Sequence, residues 1–170
     1  TMTFTRFEHD TTGTHAEFHA RNRIIDMIVD QHGFLWMTTL KGLYKFSLIN
    51  FGFTCYLVDT SDINSFTANH LGPITFDTEG DLWVSLYGKG VFQFDTNAHQ
   101  FIPVELPNID LSSAMKQVND MQCDKRGNIW VASSTNGLIV FNKSIHEWHH
   151  YVHDSFNPKS VSDNKILSLF

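Results

Sequence analysis

The sequence predicts an all-β protein built from repeated four-stranded antiparallel sheets, and one repeated unit carries this prediction. Asp30, Asp77 and Asp124 are 47 residues apart, and the glycine three positions and the tryptophan six positions after each of them keep this spacing. A period of this length indicates a repeat architecture. Four strands in about 47 residues are typical of a β-propeller blade. We therefore expect a partial β-propeller with about three four-stranded blades and a single strand at each end.

The motif D-x-x-G-x-[LI]-W predicts the turn between the first two strands of each blade. An Asp at the first position of such a turn accepts backbone N–H groups, and a Gly at the fourth position adopts the left-handed conformation. Residues before the motif alternate in character, and those after it are aromatic and apolar, as in strands that face a core. A second turn then closes on Gly42, Gly90 and Gly137, and fourth strands are expected around Phe53, Phe101 and Trp148.

The spacing also predicts where each blade begins and ends. We expect blade one at residues 22–58, blade two at 69–106 and blade three at 116–153, with residues 1–10 as the last strand of a preceding blade and 164–170 as the first strand of a further one. A closed propeller needs at least about four blades. The chain is therefore expected to be a fragment of one propeller domain, completed by remaining blades of the same natural chain. Unpaired strand edges at its ends predict self-association.

Composition excludes several classes of function. The formal net charge of −6 and a sequence pI near 5.9 argue against sequence-independent nucleic-acid binding, which needs a basic face. No apolar run is long enough to span a membrane, so we expect no membrane contact in this segment. The two cysteines, Cys55 and Cys123, do not make a disulfide framework.

Motifs of catalysis and metal binding do not occur in the sequence. It has no nucleophile elbow, zincin helix, glycine-rich phosphate loop or C-x-x-C pair. Of the ten histidines, His149 and His153 would lie about 13 Å apart along one strand, too far to bind one metal ion. We expect no catalytic residue, no metal and no cofactor. The repeated tryptophans share one blade position, which favours a place in the core between blades.

Candidate ligand-binding residues lie in two groups that map to the rim around the expected central channel. Loops on a rigid scaffold are common places for recognition. One group stands just before the second-turn glycines and the other precedes the first strands, and Tyr87 is an aromatic residue of the rim that does not repeat. A basic rim on an acidic body favours an anionic or polyhydroxylated ligand. The candidates are Lys41, Tyr87 and Lys89 in the turns, and Arg21, Arg23, His70, Lys116 and Gln117 before the strands.

One sequence pattern occurs three times and covers most of the chain, at residues 24–46, 71–94 and 118–141. The pattern is I-x-x-[MIL]-x-x-D-x-x-G-x-[LI]-W-[MV]-x-[TS]…G-[LV]-x-x-[FV]. This pattern resembles the two-component regulator propeller repeat of bacterial hybrid sensor kinases, and the segment HHYVHDSFNPKSVSDNKI is similar to that family's spacer between blades. The second copy departs from the pattern where it begins, because Pro73 cannot donate a ladder hydrogen bond.

The resemblance implies a ligand-sensing segment on the periplasmic or extracellular side of a bacterial inner membrane, belonging to a hybrid two-component sensor histidine kinase. The implied ligand is a small molecule or oligosaccharide of glycan origin, and the segment itself would transmit a signal without catalysis. One alternative is a propeller enzyme that shares the repeat, such as a lyase or a glycan-acting enzyme. Another is a protein-interaction scaffold.

Overall fold

Three four-stranded antiparallel sheets make up the computed structural model, which describes residues 23–57, 70–104 and 117–170. No helix occurs among these residues, and every sheet has its strands in chain order. The all-β class and the four-stranded antiparallel sheets that the sequence predicts are confirmed, and the sheets do not close into a ring. The strand expected at residues 1–10 lies outside the described residues.

Sheet 1 contains β1 to β4, sheet 2 contains β5 to β8, and sheet 3 contains β9 to β12. The first strand of one sheet packs against the first strand of the next, since β1 contacts β5 and β5 contacts β9. The strands are β1 (Ile24–Val29), β2 (Phe34–Thr39), β3 (Gly42–Ser47), β4 (Phe53–Tyr56), β5 (Leu71–Phe76), β6 (Leu82–Leu86), β7 (Gly90–Asp95), β8 (Gln100–Pro103), β9 (Val118–Cys123), β10 (Ile129–Ser133), β11 (Leu138–Asn142) and β12 (Glu147–Tyr151).

The repeated aspartate organises the first turn of each sheet. In sheet 2, Asp77 Oδ1 accepts the backbone N–H groups of Glu79 and Asp81, each at 2.9 Å. Its Oδ2 accepts the indole N–H of Trp83 at 3.0 Å. Asp30 and Asp124 make the same three bonds in the other two sheets. The glycine of each turn has a φ of 79°, 89° or 83°, which a side chain would strain.

The apolar core lies between the sheets. Trp36 of sheet 1 is 1% exposed and packs with Leu71 and Phe94 of sheet 2. Trp83 of sheet 2 is 2% exposed and packs with Met121 and Ile139 of sheet 3. These two tryptophans occupy the place between blades that their spacing predicts, and large aromatic side chains contribute most of the burial energy of such interfaces.

Polar links join neighbouring sheets at different ends of their first strands. Between sheets 1 and 2, Asp26 Oδ2 accepts the backbone N–H of Ile74 at 3.1 Å. The equivalent residue 47 positions later is Pro73, which has no carboxylate. Between sheets 2 and 3, an ion pair lies at the first-turn end, where the ammonium of Lys143 contacts Asp77 Oδ2 at 2.7 Å. At the other end, the side-chain N–H of Gln117 donates to the phenol oxygen of Tyr87 at 3.3 Å.

The segment after β12 repeats the Asp26 link. The backbone N–H of Leu169 donates to Asp120 Oδ2 at 2.7 Å, and Asp120 is two repeats after Asp26. The N–H of Ile166 donates to the carbonyl oxygen of Ser133 at 3.0 Å. Residues 164–170 nevertheless form no strand in the structure, so a further blade beginning there stays a prediction, as do the blade boundaries.

Candidate ligand site at the rim of the first strands

A cavity of about 240 Å³ lies where the first strands of the three sheets begin. Each of these strands has a register irregularity near its start, and the residues displaced there include Ile25, Gly72 and Asn119. All three line the cavity, and they are 47 residues apart. Bulges near the start of strands often re-aim a side chain beside a functional site. The repeated irregularity therefore turns one residue from each sheet toward a shared space.

Two of the predicted residues form a stacked pair at this cavity. The rings of His70 and Tyr87 have centroids 5.0 Å apart and planes 16° apart. The backbone N–H of Tyr87 also donates to the carbonyl oxygen of His70 at 2.9 Å, which fixes the turn against the strand. Both residues line the cavity wall, together with the buried Leu86 and Pro73. The pair offers a flat aromatic surface with a phenol group at its edge.

Gln117 completes the cluster from the neighbouring sheet. Its side-chain N–H donates to the phenol oxygen of Tyr87 at 3.3 Å. Its backbone carbonyl oxygen accepts the backbone N–H of Ser134 at 3.0 Å. The Ser134 hydroxyl shares its single proton between Asn119 Oδ1 at 2.9 Å and the backbone oxygen of Gln117 at 3.1 Å. Asn119 Nδ2 donates to the carbonyl oxygen of Ile166 at 2.8 Å. This chain of hydrogen bonds orients the polar side of the cavity before any ligand arrives.

Positive charge lies beside the stacked pair. Burial lowers the pKa of His70 below its ordinary value, and the positive charge of Arg23 lowers it further. Both effects favour the neutral form of His70, whose ring accepts or donates a hydrogen bond according to its tautomer. Arg23 is exposed and supplies a positive charge beside the pair.

The structure brings some of the predicted residues together and leaves others apart. His70 and Tyr87 line the cavity, Gln117 donates to Tyr87 from the next sheet, and the charge of Arg23 acts on His70. Lys41 and Lys89 do not line the cavity, although each lies in the expected turn, where their backbone N–H groups donate to Thr39 Oγ1 and to the carbonyl oxygen of Leu86. Arg21 and Lys116 lie outside the described residues.

Sequence reasoning missed Asn119, Ser134 and the apolar wall of the cavity. The 47-residue period could have indicated Asn119, because it occupies the same repeat position as Ile25 and Gly72, and all three line the cavity. The part of the chain that the structure describes contains no group of three His, Cys, Asp or Glu side chains placed to bind a metal ion. The arrangement suits binding of a polar ring by stacking and hydrogen bonds.

The fold is shared with solved extracellular domains. Two crystal structures of the extracellular domain of BT4673 from B. thetaiotaomicron match this chain, each at 21% identity. The first, described as part of a one component system, has a TM-score of 0.69 over 88% of this chain. The second, described as part of a hybrid two component system, has a TM-score of 0.67 over 86% of this chain. The extracellular domain of BT3049 from the same organism, assigned to a hybrid two component system, matches with a TM-score of 0.64 at 20% identity over 85% of this chain. An auxiliary nutrient binding protein from Bacteroides ovatus matches with a TM-score of 0.55 at 8% identity, over 78% of this chain and 32% of its own.

The chain spans about a fifth of the length of the two B. thetaiotaomicron domains, 19% and 20% respectively. At these identities the likeness establishes the fold. No protein-family model matches the chain, and no curated protein matches it. Within its described residues, no helix has the length and apolar character needed to cross a membrane.

Proposed function

We propose that this chain is a ligand-recognising part of the extracytoplasmic sensor domain of a bacterial hybrid two-component histidine kinase. The fold that it shares with extracellular domains assigned to such systems supports the sensor role and the periplasmic or extracellular location. In this role the segment binds and transmits a signal, and phosphoryl transfer belongs to other parts of the full-length protein. Its remaining blades, in the same chain, complete the domain.

The ligand that we propose is glycan-derived, and the stacked pair of His70 and Tyr87 is the observation that carries this proposal. Sugar rings present apolar C–H faces that pack on aromatic rings, while their hydroxyl groups need hydrogen-bond partners. Asn119 supplies such a partner at the cavity, and Gln117 supplies another beside it, where its side chain donates to Tyr87. The exposed cation of Arg23 favours a sugar that carries a carboxylate.

The test is a calorimetric titration of the full chain with galactose, galacturonic acid and digalacturonic acid. We expect the acidic sugars to bind and Tyr87→Leu to weaken binding at least tenfold, which corresponds to a loss of about 1.4 kcal/mol. Tyr151→Leu is the matched control, because Tyr151 is 48% exposed and Tyr87 is 43% exposed. Equal affinity of the wild-type protein and Tyr87→Leu would contradict the proposed site.

Product analysis of the same mixtures addresses the enzyme alternative. A sensor segment leaves digalacturonic acid unchanged after prolonged incubation. Appearance of a cleaved or unsaturated product that depends on the cavity residues would favour a lyase or a glycan-acting enzyme instead.

A further inference from the structure

A second groove lies at the opposite end of the first strands, between the first turns of sheets 1 and 2. It has a volume of about 350 Å³. Asp30, Gln31 and His32 line it from sheet 1, and Thr78 and Thr96 line it from sheet 2. The rings of Trp36 and Phe76 form its apolar wall, with centroids 6.4 Å apart.

The interface between sheets 2 and 3 shows that the equivalent position can bind an ammonium group. Between sheets 2 and 3, the ammonium of Lys143 lies 2.7 Å from Asp77 Oδ2 and 2.8 Å from Glu79 Oε2. Asp77 still accepts the indole N–H of Trp83 through that same oxygen. The turn aspartate of this repeat can therefore bind a primary ammonium group and its tryptophan at once.

The equivalent residues between sheets 1 and 2 are one repeat earlier. Asp30 stands in the place of Asp77 and holds Trp36 Nε1 through Oδ2 at 2.9 Å. Thr96 stands in the place of Lys143, and His32 in the place of Glu79. A threonine is too short to repeat the lysine bridge, and Thr96 lines the groove.

The cation that acts on Asp30 is instead Lys45 of its own sheet: burial raises the pKa of Asp30, while hydrogen bonds and, least, the charge of Lys45 lower it. The Lys45 ammonium lies over the rings of Phe34 and Trp36, so it does not take the position on the carboxylate that Lys143 takes on Asp77.

We propose that this groove binds a small molecule bearing a primary ammonium group, with an amino sugar as the class that fits its lining. The ammonium contacts Asp30 Oδ2 as Lys143 contacts Asp77. Hydroxyl groups of the sugar find partners in Gln31, His32 and Thr96, and the sugar ring packs on the partly buried ring of Phe76.

Lys45 opposes a bound cation and so provides a test. Its ammonium lies 4.1 Å from the ring centroid of Phe34 and 4.9 Å from that of Trp36, over the same groove. Sheet 2 has Gln93 at the equivalent place. Replacing Lys45 with Gln removes one half-buried like charge, so the affinity for an amine should rise about twofold to fivefold.

The decisive variant places a lysine side chain of the protein itself in the groove. Thr96→Lys supplies the missing lysine, and Thr96→Met supplies a similar length of chain without charge. We expect Thr96→Lys to raise the thermal midpoint above that of Thr96→Met and to abolish binding of glucosamine. The wild-type chain and Thr96→Lys are titrated with glucosamine, with N-acetylglucosamine, in which the charge is removed from the same atom, and with Nα-acetyl-lysine methylamide.

Binding of glucosamine but not of N-acetylglucosamine to the wild-type chain, lost in Thr96→Lys, supports the proposal. Binding of the lysine derivative with higher affinity than glucosamine would replace the amino sugar by a peptide side chain as the source of the ammonium and overturn the assigned class. Equal binding of glucosamine to the wild-type chain and Thr96→Lys, or none to either, refutes the site. This result is independent of the rim cavity, which lies at the other end of the strands.

Discussion

Removing the ammonium of Lys143 should destabilise the protein more than removing any other exposed or half-buried cation of the described residues. The Asp77 side chain is fully buried at 0% exposure, while that of Lys143 is 19% exposed. Burial alone raises the pKa of Asp77, but hydrogen bonds from Lys143, Trp83 and the turn backbone outweigh it and lower the pKa. In Lys143→Met the carboxylate stays buried and loses its only described cation.

The expected cost is about 2 to 3 kcal/mol, because hydrogen bonds to charged groups contribute about 1.5 to 3 kcal/mol and a buried charge without its partner costs more. For a chain of 170 residues this corresponds to a fall of about 4 to 12 °C in the thermal midpoint. Urea denaturation followed by tryptophan fluorescence gives the free energy directly.

Lys45→Met is the matched control. Its ammonium lies over aromatic rings, and such a contact at a partly exposed site contributes only about 0.5 to 1 kcal/mol. A Lys143→Met chain within 0.5 kcal/mol of the wild type, or one no less stable than Lys45→Met, would refute the reasoning that this lysine joins sheets 2 and 3.

Three further predictions follow from the links and turns. Pro73→Asp restores the carboxylate that Asp26 supplies one repeat earlier, so it should be about 1 to 2 kcal/mol more stable than Pro73→Ala in urea denaturation, and no difference would argue against the link. Gly137→Ala should lower the thermal midpoint more than Gly33→Ala does. Both glycines have φ near 75–79°, but only at Gly137 would the new Cβ meet a backbone carbonyl oxygen, that of Tyr151. Equal midpoints of the two variants would contradict this. Burial raises the pKa of Asp124, but hydrogen bonds from Trp130, Asn128 and the turn backbone outweigh it and lower the pKa to about 2. The charged form of Asp124 therefore stabilises the fold above pH 3.8, and this stability is lost as the pH falls toward 2. Over that pH range the thermal midpoint of Asp124→Asn should fall less than that of the wild-type protein.

The sequence predicted the features that recur in every repeat. The spacing of Asp30, Asp77 and Asp124 located the first turns, and the left-handed glycines and the tryptophans between sheets followed from it. These features are local or periodic, so one sequence contains three samples of each. The contact of each aspartate with its own indole N–H was within reach of the same argument, because the two residues always lie six positions apart.

Features that differ between repeats could not be predicted from the period. The bridge from Lys143 to Asp77 joins residues 66 positions apart and depends on a lysine that the other copies lack. The rim cluster was predicted in part, because Arg23, His70 and Gln117 share one repeat position. Which rim residues actually reach the cavity depends on the strand irregularities, and these re-aim side chains in a way that spacing alone does not reveal.

The most direct test of the proposed sensor function is an NMR titration of the ¹⁵N-labelled chain with digalacturonic acid. We predict that the backbone amide signals of His70, Tyr87 and Asn119 shift in a saturable way, with smaller changes at Lys41 and Lys89. Saturable shifts confined to residues away from the rim cavity, or no shifts at millimolar ligand, would contradict the assignment of this cavity as the recognition site for an acidic sugar.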